Sequence, residues 1–365
     1  MSIGQHTFLP ARSSQTLRPK GAAKNIQKGY FSSCVNAQLT CRPVQEADLR
    51  NCLLIQPVRN GAERIGLNRA LRAWKIILRN PDSSVSYLVE KAIAQTSEIV
   101  GFGMAVFVTS SFADSMLSNP QPGLNARIIE SVDAGKSVIP SYRYLQTANA
   151  DATLDHVVMY SSEKPERLSP NELGLVRNQL ARAYMESFVG YRLRRMLYEI
   201  TTAEELEKIK GYRGIRVVAR TTAPDLPGIP SLWKQERALC EATAETIVND
   251  PASVAVRPFV ERRLPVLDFS PSQKRLLLAA LREAENAELA VALCRTPAAI
   301  KRTWSGIFEK CTQHIPALIP TNKNLLRGQQ KRHKVIAYIR EHPEEIRPFP
   351  PRSAGCENEE RRRQS

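Results

Sequence analysis

No stretch of this 365-residue chain approaches the roughly 18 consecutive apolar residues that a membrane span requires, so no transmembrane helix is expected. The N-terminus has no apolar signal-peptide core. Seven cysteines, at 34, 41, 52, 240, 294, 311 and 356, form no Cys-x-x-Cys pair, and the five histidines do not cluster near them. A zinc site is therefore not expected, and scattered thiols suit a reducing cytoplasm. There is no Gly-x-x-x-x-Gly-Lys phosphate loop, no Gly-x-Ser-x-Gly nucleophile elbow, no phosphoacceptor signature and no internal repeat. Asp151, Asp155 and His156 near Ser161 and Ser162 lack any positioning signal, so Asp155 and His156 read as ordinary strand-edge residues. Acidic residues are missing from the first 45 positions, which hold Arg12, Arg18, Lys20, Lys24, Lys28 and Arg42.

What is present is an ordinary globular composition, 42% hydrophobic and 24% charged, with a net charge of +16. That charge fits an anionic partner such as nucleic acid. It is uneven: the first 45 residues carry +6, and Asp268 to Arg347 hold 14 basic against 8 acidic residues, again +6. The length allows two or three domains.

Along the chain, residues 1–37 read as a disordered basic tail, with a transit peptide as the other reading. Leu39 to Val44 reads as a strand, Glu46 to Gln56 and Leu67 to Leu78 as helices, the latter ended by Asn80-Pro81-Asp82. SVSYLVEKA and EIVGFGMAVFVTS form a hairpin or meander, and Ser141 to Thr147 and Leu154 to Tyr160 offer further strands. Leu173 to Ile200 reads as a helix broken at Gly190, and Gly214 to Ala219 as a last strand. The expected class is α+β, a mixed α/β domain over residues 38–220. Residues 221–262, with five prolines and a helix over Ser231 to Val248, read as a connector. An all-α module spans 263–347, ending in a helix over Gly328 to His342, and 348–365 reads as a disordered tail.

The all-α module carries the most specific pattern. Leu276, Leu277, Ala280 and Leu281 make one apolar face, and Leu289, Ala290 and Leu293 a second. Thr296 supplies a cap and Pro297 fits the first helical position. Ile300, Trp304, Ile307 and Cys311 then form a buried stripe, with Ala298, Lys301, Arg302 and Ser305 opposite. Asn286, Glu288, Leu289, Ala290, Leu293, Thr296, Ile300, Lys301, Ile307 and Lys310 together make residues 268–312 resemble the LuxR/FixJ-type helix-turn-helix, with Gln273, Glu283 and Thr303 as departures. The resemblance implies a bacterial, cytoplasmic transcription regulator that reads the DNA major groove through helix 297–311, as a homodimer. Lys301, Arg302 and Ser305 would then contact base edges, with Ala298 on the same DNA-facing side, and Thr296, Thr303, Lys310, Lys331, Arg332 and Lys334 the phosphates. The N-terminal domain would sense a small-molecule effector. On this reading the protein is no enzyme and takes no cofactor.

The other reading starts from Cys41-Arg42-Pro43, Glu46-Ala47-Asp48-Leu49 and Ile99-Val100-Gly101-Phe102-Gly103. These make residues 39–220 resemble the GNAT N-acetyltransferase superfamily. The resemblance implies that Leu154 to Ser161 is the strand whose backbone pairs with the pantetheine arm of acetyl-CoA. It also implies a Gln/Arg-x-x-Gly-x-Gly/Ala loop at the next helix N-terminus, which this chain lacks. Gly190 is the nearest cofactor candidate, and a single glycine there reads equally as a packing notch. The alternative function is a GNAT-like acyltransferase, using acetyl-CoA, with a C-terminal helical interaction module.

Overall fold

The computed structural model describes residues 39–55, 65–80, 82–93, 96–121, 123–201, 206–207, 214–222, 236–248, 259, 263–281, 285–319 and 328–351. The expected tail over residues 1–37 lies outside them. Among the described residues, seven strands form one sheet. Their spatial order is β1 (Leu39–Pro43), β2 (Ser84–Ile93), β3 (Thr96–Val108), β4 (Leu154–Glu163), β5 (Leu193–Ile200), β7 (Glu236–Thr243) and β6 (Arg216–Thr222). All neighbours are antiparallel except β4 and β5, which run parallel. Parallel neighbours need a crossover, and the helix α6 (Pro170–Phe188) supplies it.

Side chains alternate across the sheet with the two-residue strand period. On one face, Met104, Val106, Val157, Met159, Leu197 and Leu239 pack against Trp74, Ile77, Phe112 and Ile128. Those partners come from helices α2 (Leu67–Leu78), α3 (Ser110–Ser118) and α4 (Leu124–Asp133), and α1 (Leu49–Leu53) adds Leu49 and Leu53. On the other face, Ala105, Phe107, Leu154 and Met196 pack against Leu145 and Phe188. These belong to α5 (Tyr142–Ala150) and α6, and α7 (Ala244–Val248) adds Ile247. Gly101 allows α6 to lie close, since a Cβ there would sit 2.5 Å from Val176 Cγ1.

His156 stands in this second layer, fully buried between Phe107 and Phe188. Burial depresses its imidazole to about 3. The unfolded chain binds that proton first, near pH 6.5, so stability is lost as pH falls from about 6.5 toward 3. Between pH 7 and pH 5 the loss from this group is expected to be about 2 kcal/mol. Urea denaturation of His156→Leu at both pH values should show a correspondingly smaller difference than the wild type.

A helical module follows, formed by α8 (Pro271–Ala280), α9 (Asn286–Ala292), α10 (Pro297–His314) and α11 (Gly328–Glu341). Leu276, Leu277, Leu289, Ile300, Trp304, Ile307, Cys311, Val335 and Ile339 make its core. Ser270 and Thr296 cap α8 and α10, accepting from Gln273 N at 3.3 Å and Ala299 N at 3.2 Å. The module is pinned to the sheet domain by the segment after α11. Arg347 Nε donates to Val189 O at 2.9 Å and its guanidinium lies 4.9 Å over the Tyr191 ring. Asn149 Nδ2 and Gln146 Nε2 donate to Pro348 O and Phe349 O at 2.9 and 2.7 Å.

Several elements differ from the sequence-based expectation. Ser141 to Thr147 is not a strand: Ser141 caps a helix by accepting from Tyr144 N at 3.3 Å. The long helix expected over Leu173 to Ile200 ends at Phe188, and Leu193–Ile200 is the buried strand β5, where sheet pairing overrides helix propensity. Within the expected connector, Glu236–Thr243 is a strand between β5 and β6 rather than part of a helix. Phe349, expected in the C-terminal tail, is 5% exposed. Residues 352–365 lie outside the described residues.

Candidate functional site

The parallel pair at the centre of the sheet is incomplete. β4 pairs with β5 from Leu154–Leu193 to Val158–Tyr198. Beyond that, β4 stays bonded to β3 as far as Glu163, and β5 stays bonded to β7 as far as Ile200. The sheet therefore divides after Val158. The division coincides with a bulge: Met104 faces Tyr160 while Ala105 faces Val158, leaving Met159 as the extra residue. A bulge of this kind bends the strand and raises its local twist.

The first turn of α4 is fastened to both lips of the split. Asn125 Nδ2 donates to Met159 O on β4 at 2.5 Å, and Gly123 N donates to Glu199 Oε1 on β5 at 2.6 Å. Glu199 also accepts from Arg237 Nη1 on β7 at 3.4 Å. Burial pushes the Glu199 carboxyl up, while Arg237 and the α4 backbone N–H groups hold it down.

At the closed end of the pair, Asp155 on β4 accepts from Arg195 Nε at 2.7 Å and from Arg194 Nε at 2.9 Å, both on β5. Arg195 also donates to Asp114 on α3, and Glu241 on β7 lies 4.0 Å away. Asp155 is 1% exposed and His156 0%. Neither is the strand-edge residue expected, because β4 is an interior strand with cover on both faces. No group of His, Cys, Asp or Glu that could hold a metal occurs among the described residues.

Where β4 gives way to α6, six of the eight backbone N–H donors from Lys164 to Leu173 are occupied. Lys164 N donates to Val100 O, Arg167 N to Lys164 O, Leu168 N to Pro165 O and Leu173 N to Ser169 O. Ser169 N donates to Glu172 Oε2 at 2.8 Å, and Glu172 N to Ser169 Oγ at 3.4 Å. Pro165 and Pro170 have no N–H. Lys91 Nζ holds Glu172 at 2.8 Å, and Lys91 with the Ser169 donors keeps that carboxyl at about 2. This Ser-Pro-x-Glu cap is a recognisable sequence signature. Asn125, Glu199 and the Met159 bulge carry no local signal, because each acquires its role from a neighbour distant in sequence.

Gly190 lies at the other end of the strands, just before β5. Its φ is +87°, and a Cβ there would sit 2.7 Å from Glu344 N. The glycine lets the turn Pro343–Ile346 approach, which is a packing contact. The residues considered for a nucleic-acid interface are all on the helical module. Ala298, Lys301, Arg302, Ser305 and Lys334 are exposed, and Thr296 caps α10. Thr303 Oγ1 and Ser305 Oγ donate to Ala299 O and Lys301 O of their own helix at 2.9 and 3.1 Å. Lys310 Nζ turns back to Asp268 O. Arg332 lies 4.8 Å over the Trp304 ring and donates to Asn286 Oδ1 at 3.0 Å, and Lys331 beside it is half-buried.

No family model matches the chain, and no curated protein matches it in sequence. Among solved structures, it is similar to a spermidine N-acetyltransferase chimera of Vibrio cholerae and human parts, at 12% identity and a TM-score of 0.32, over 58% of this chain and 99% of that one. It is also similar to arylalkylamine N-acetyltransferase 7 of the yellow fever mosquito, at 10% identity and a TM-score of 0.31, over 56% and 87%. A third is an N-acyl amino acid synthase from uncultured soil microbes, at 10% identity and a TM-score of 0.28, over 56% and 91%.

The regulator reading is corrected by this finding: the similar structures are acyltransferases. The expectation of a non-enzymatic, homodimeric DNA-binding protein with double-stranded DNA as partner and a small-molecule effector is withdrawn. The physical reason the sequence misled is visible in the helical module. Its matching positions are mostly cap and core residues, Thr296, Ile300 and Ile307 among them, which define how three helices pack and not what their surface binds. The chain has a mixed α/β sheet domain followed by helices. No helix among the described residues is long and apolar enough to cross a membrane.

Proposed function

We propose that the sheet domain transfers an acyl group from a pantetheine thioester to an amine. The observation that carries this reading is the parting of β4 from β5 after Val158, with the bulge at Met159 beside it. A strand edge without a strand partner offers backbone N–H and C=O groups at the spacing of an extended chain. A pantetheine arm carries two amides in an extended chain and can complete that edge between residues 160 and 163. Asn125 and Glu199 hold the lips at their separation through α4. They are positioning residues. In the reaction the amine nitrogen attacks the thioester carbonyl, the C–N bond forms as the C–S bond breaks, and the proton leaving nitrogen ends on the thiolate. In this proposal the transferase domain spans residues 39–248, a reading supported by the parallel pair, its crossover α6 and strand β7, with the helical module over 263–347 as an accessory.

The test is thiol release from S-acetyl and longer S-acyl pantetheine thioesters by the full chain, with a panel of mono-, di- and polyamines. Amine-dependent release above thioester hydrolysis is expected, together with the N-acyl product by mass spectrometry. Release that is indifferent to every amine would sink the proposal.

A further inference from the structure

We propose that the acyl donor is a phosphopantetheine thioester borne on an acidic carrier protein, and not free acyl-CoA. This rests on the acyl-transfer reading above and concerns what holds the far end of the donor. The nucleotide end of CoA is anchored by its diphosphate, which needs backbone N–H donors and a helix N-terminus free to receive an anion. In this chain that position, at the end of β4, is filled for the most part from within. Of the eight backbone N–H groups from Lys164 to Leu173, six are bonded to the protein itself, and Pro165 and Pro170 have none to offer. The Glu172 carboxylate sits on the N-terminus of α6, kept anionic by Lys91 and Ser169.

The nearby cations face carboxylates too. Lys164 Nζ lies 3.0 Å and Arg167 Nε 3.7 Å from Glu98, and Arg177 Nε lies 3.3 Å from Glu163. A diphosphate arriving here would displace Glu172 from its own helix and meet Glu98 and Glu163 close by. The edge beyond Val158, by contrast, has no strand partner on the β5 side among the described residues. The molecule therefore matches the pantetheine half of the donor and not the nucleotide half. A carrier protein supplies its own binding surface in place of the nucleotide and brings only one phosphodiester. The net charge of +16 steers an acidic protein toward this chain and makes the encounter salt-sensitive.

The experiment compares one acyl group on three donors, holo-carrier protein, CoA and pantetheine, with the full chain and a single amine. The carrier thioester is expected to give kcat/KM about 100-fold above acyl-CoA, a factor equal to ~2.7 kcal/mol, and to weaken as salt rises. Acyl-CoA and acyl-pantetheine should be alike, since the nucleotide adds no contact. Glu172→Ala, which frees Ser169 N while leaving the Ser169 cap, should improve acyl-CoA at least several-fold and leave the carrier thioester unchanged. Acyl-CoA used as well as the carrier thioester, or inhibition by adenosine 3′,5′-bisphosphate at micromolar concentration, would overturn the carrier and leave the transferase standing. No turnover from any of the three donors would overturn both.

Discussion

Asp155→Ala is expected to destabilise the protein by about 3 kcal/mol, because it removes the buried carboxylate shared by Arg194 and Arg195 and leaves the buried Arg195 with Asp114 as its remaining hydrogen-bonded partner. The Asp155 side chain is 0% exposed and Arg195 is 8%. The two lie in register on β4 and β5, at the closed end of the parallel pair. Chemical denaturation should show the loss, and Asp155→Asn should show most of it, since shape is kept and charge is not. If both variants unfold with the wild-type midpoint, the Asp155–Arg195 pair does not hold the base of the split. Loss of this pair should also reduce thiol release, through widening of the split.

The second large effect is expected at Gly190. At φ +87° a β-branched side chain is strained by about 1–3 kcal/mol, and its Cβ would collide with main-chain atoms of Pro343 and Glu344 at 2.7 to 2.9 Å. Backbone cannot move aside as a side-chain tip can, so overpacking adds about 1–3 kcal/mol. Gly190→Val should therefore cost roughly 3 kcal/mol or more. It should also loosen the Arg347 contacts to Val189 O and Tyr191 that pin the helical module. Hydrogen exchange is the sharper readout, with Leu276 to Ala280 and Val335 to Ile339 losing protection before β3 and β4. Uniform loss across the chain would mean that the module and the sheet unfold as one unit.

Much of the local architecture was legible in the residues. The 3.6-residue period of Leu67 to Leu78 and of Ile300, Trp304, Ile307 and Cys311 marked α2 and α10, and Thr296-Pro297 marked the start of α10. The apolar run from Ile99 marked β3. Where strand and helix propensities are alike, the reading failed: Tyr142 to Thr147 is a helix because Ser141 caps it. Leu193–Ile200 is a strand because it lies between β4 and β7. The candidate site was less legible. Leu154 to Ser161 was singled out as the strand that would meet a pantetheine arm, but the bulge at Met159 and the parting from β5 are relations between strands.

The sequence by itself determined the alternation that buries both faces of β3 and β4, the caps of α6, α8 and α10, and the amphipathic helices of the C-terminal module. Each of these follows from residue type at fixed spacing within one element. Only the tertiary structure decided that β7 enters between β5 and β6, that Asp155 meets Arg195, that Asn125 holds Met159, and that Gly190 receives Glu344. Those contacts join residues from 14 to more than 150 positions apart, and no local period encodes them. The DNA-binding expectation arose from the same limit: helix spacing reports what a segment packs against, and the chemistry of a site comes from residues that the fold alone brings together.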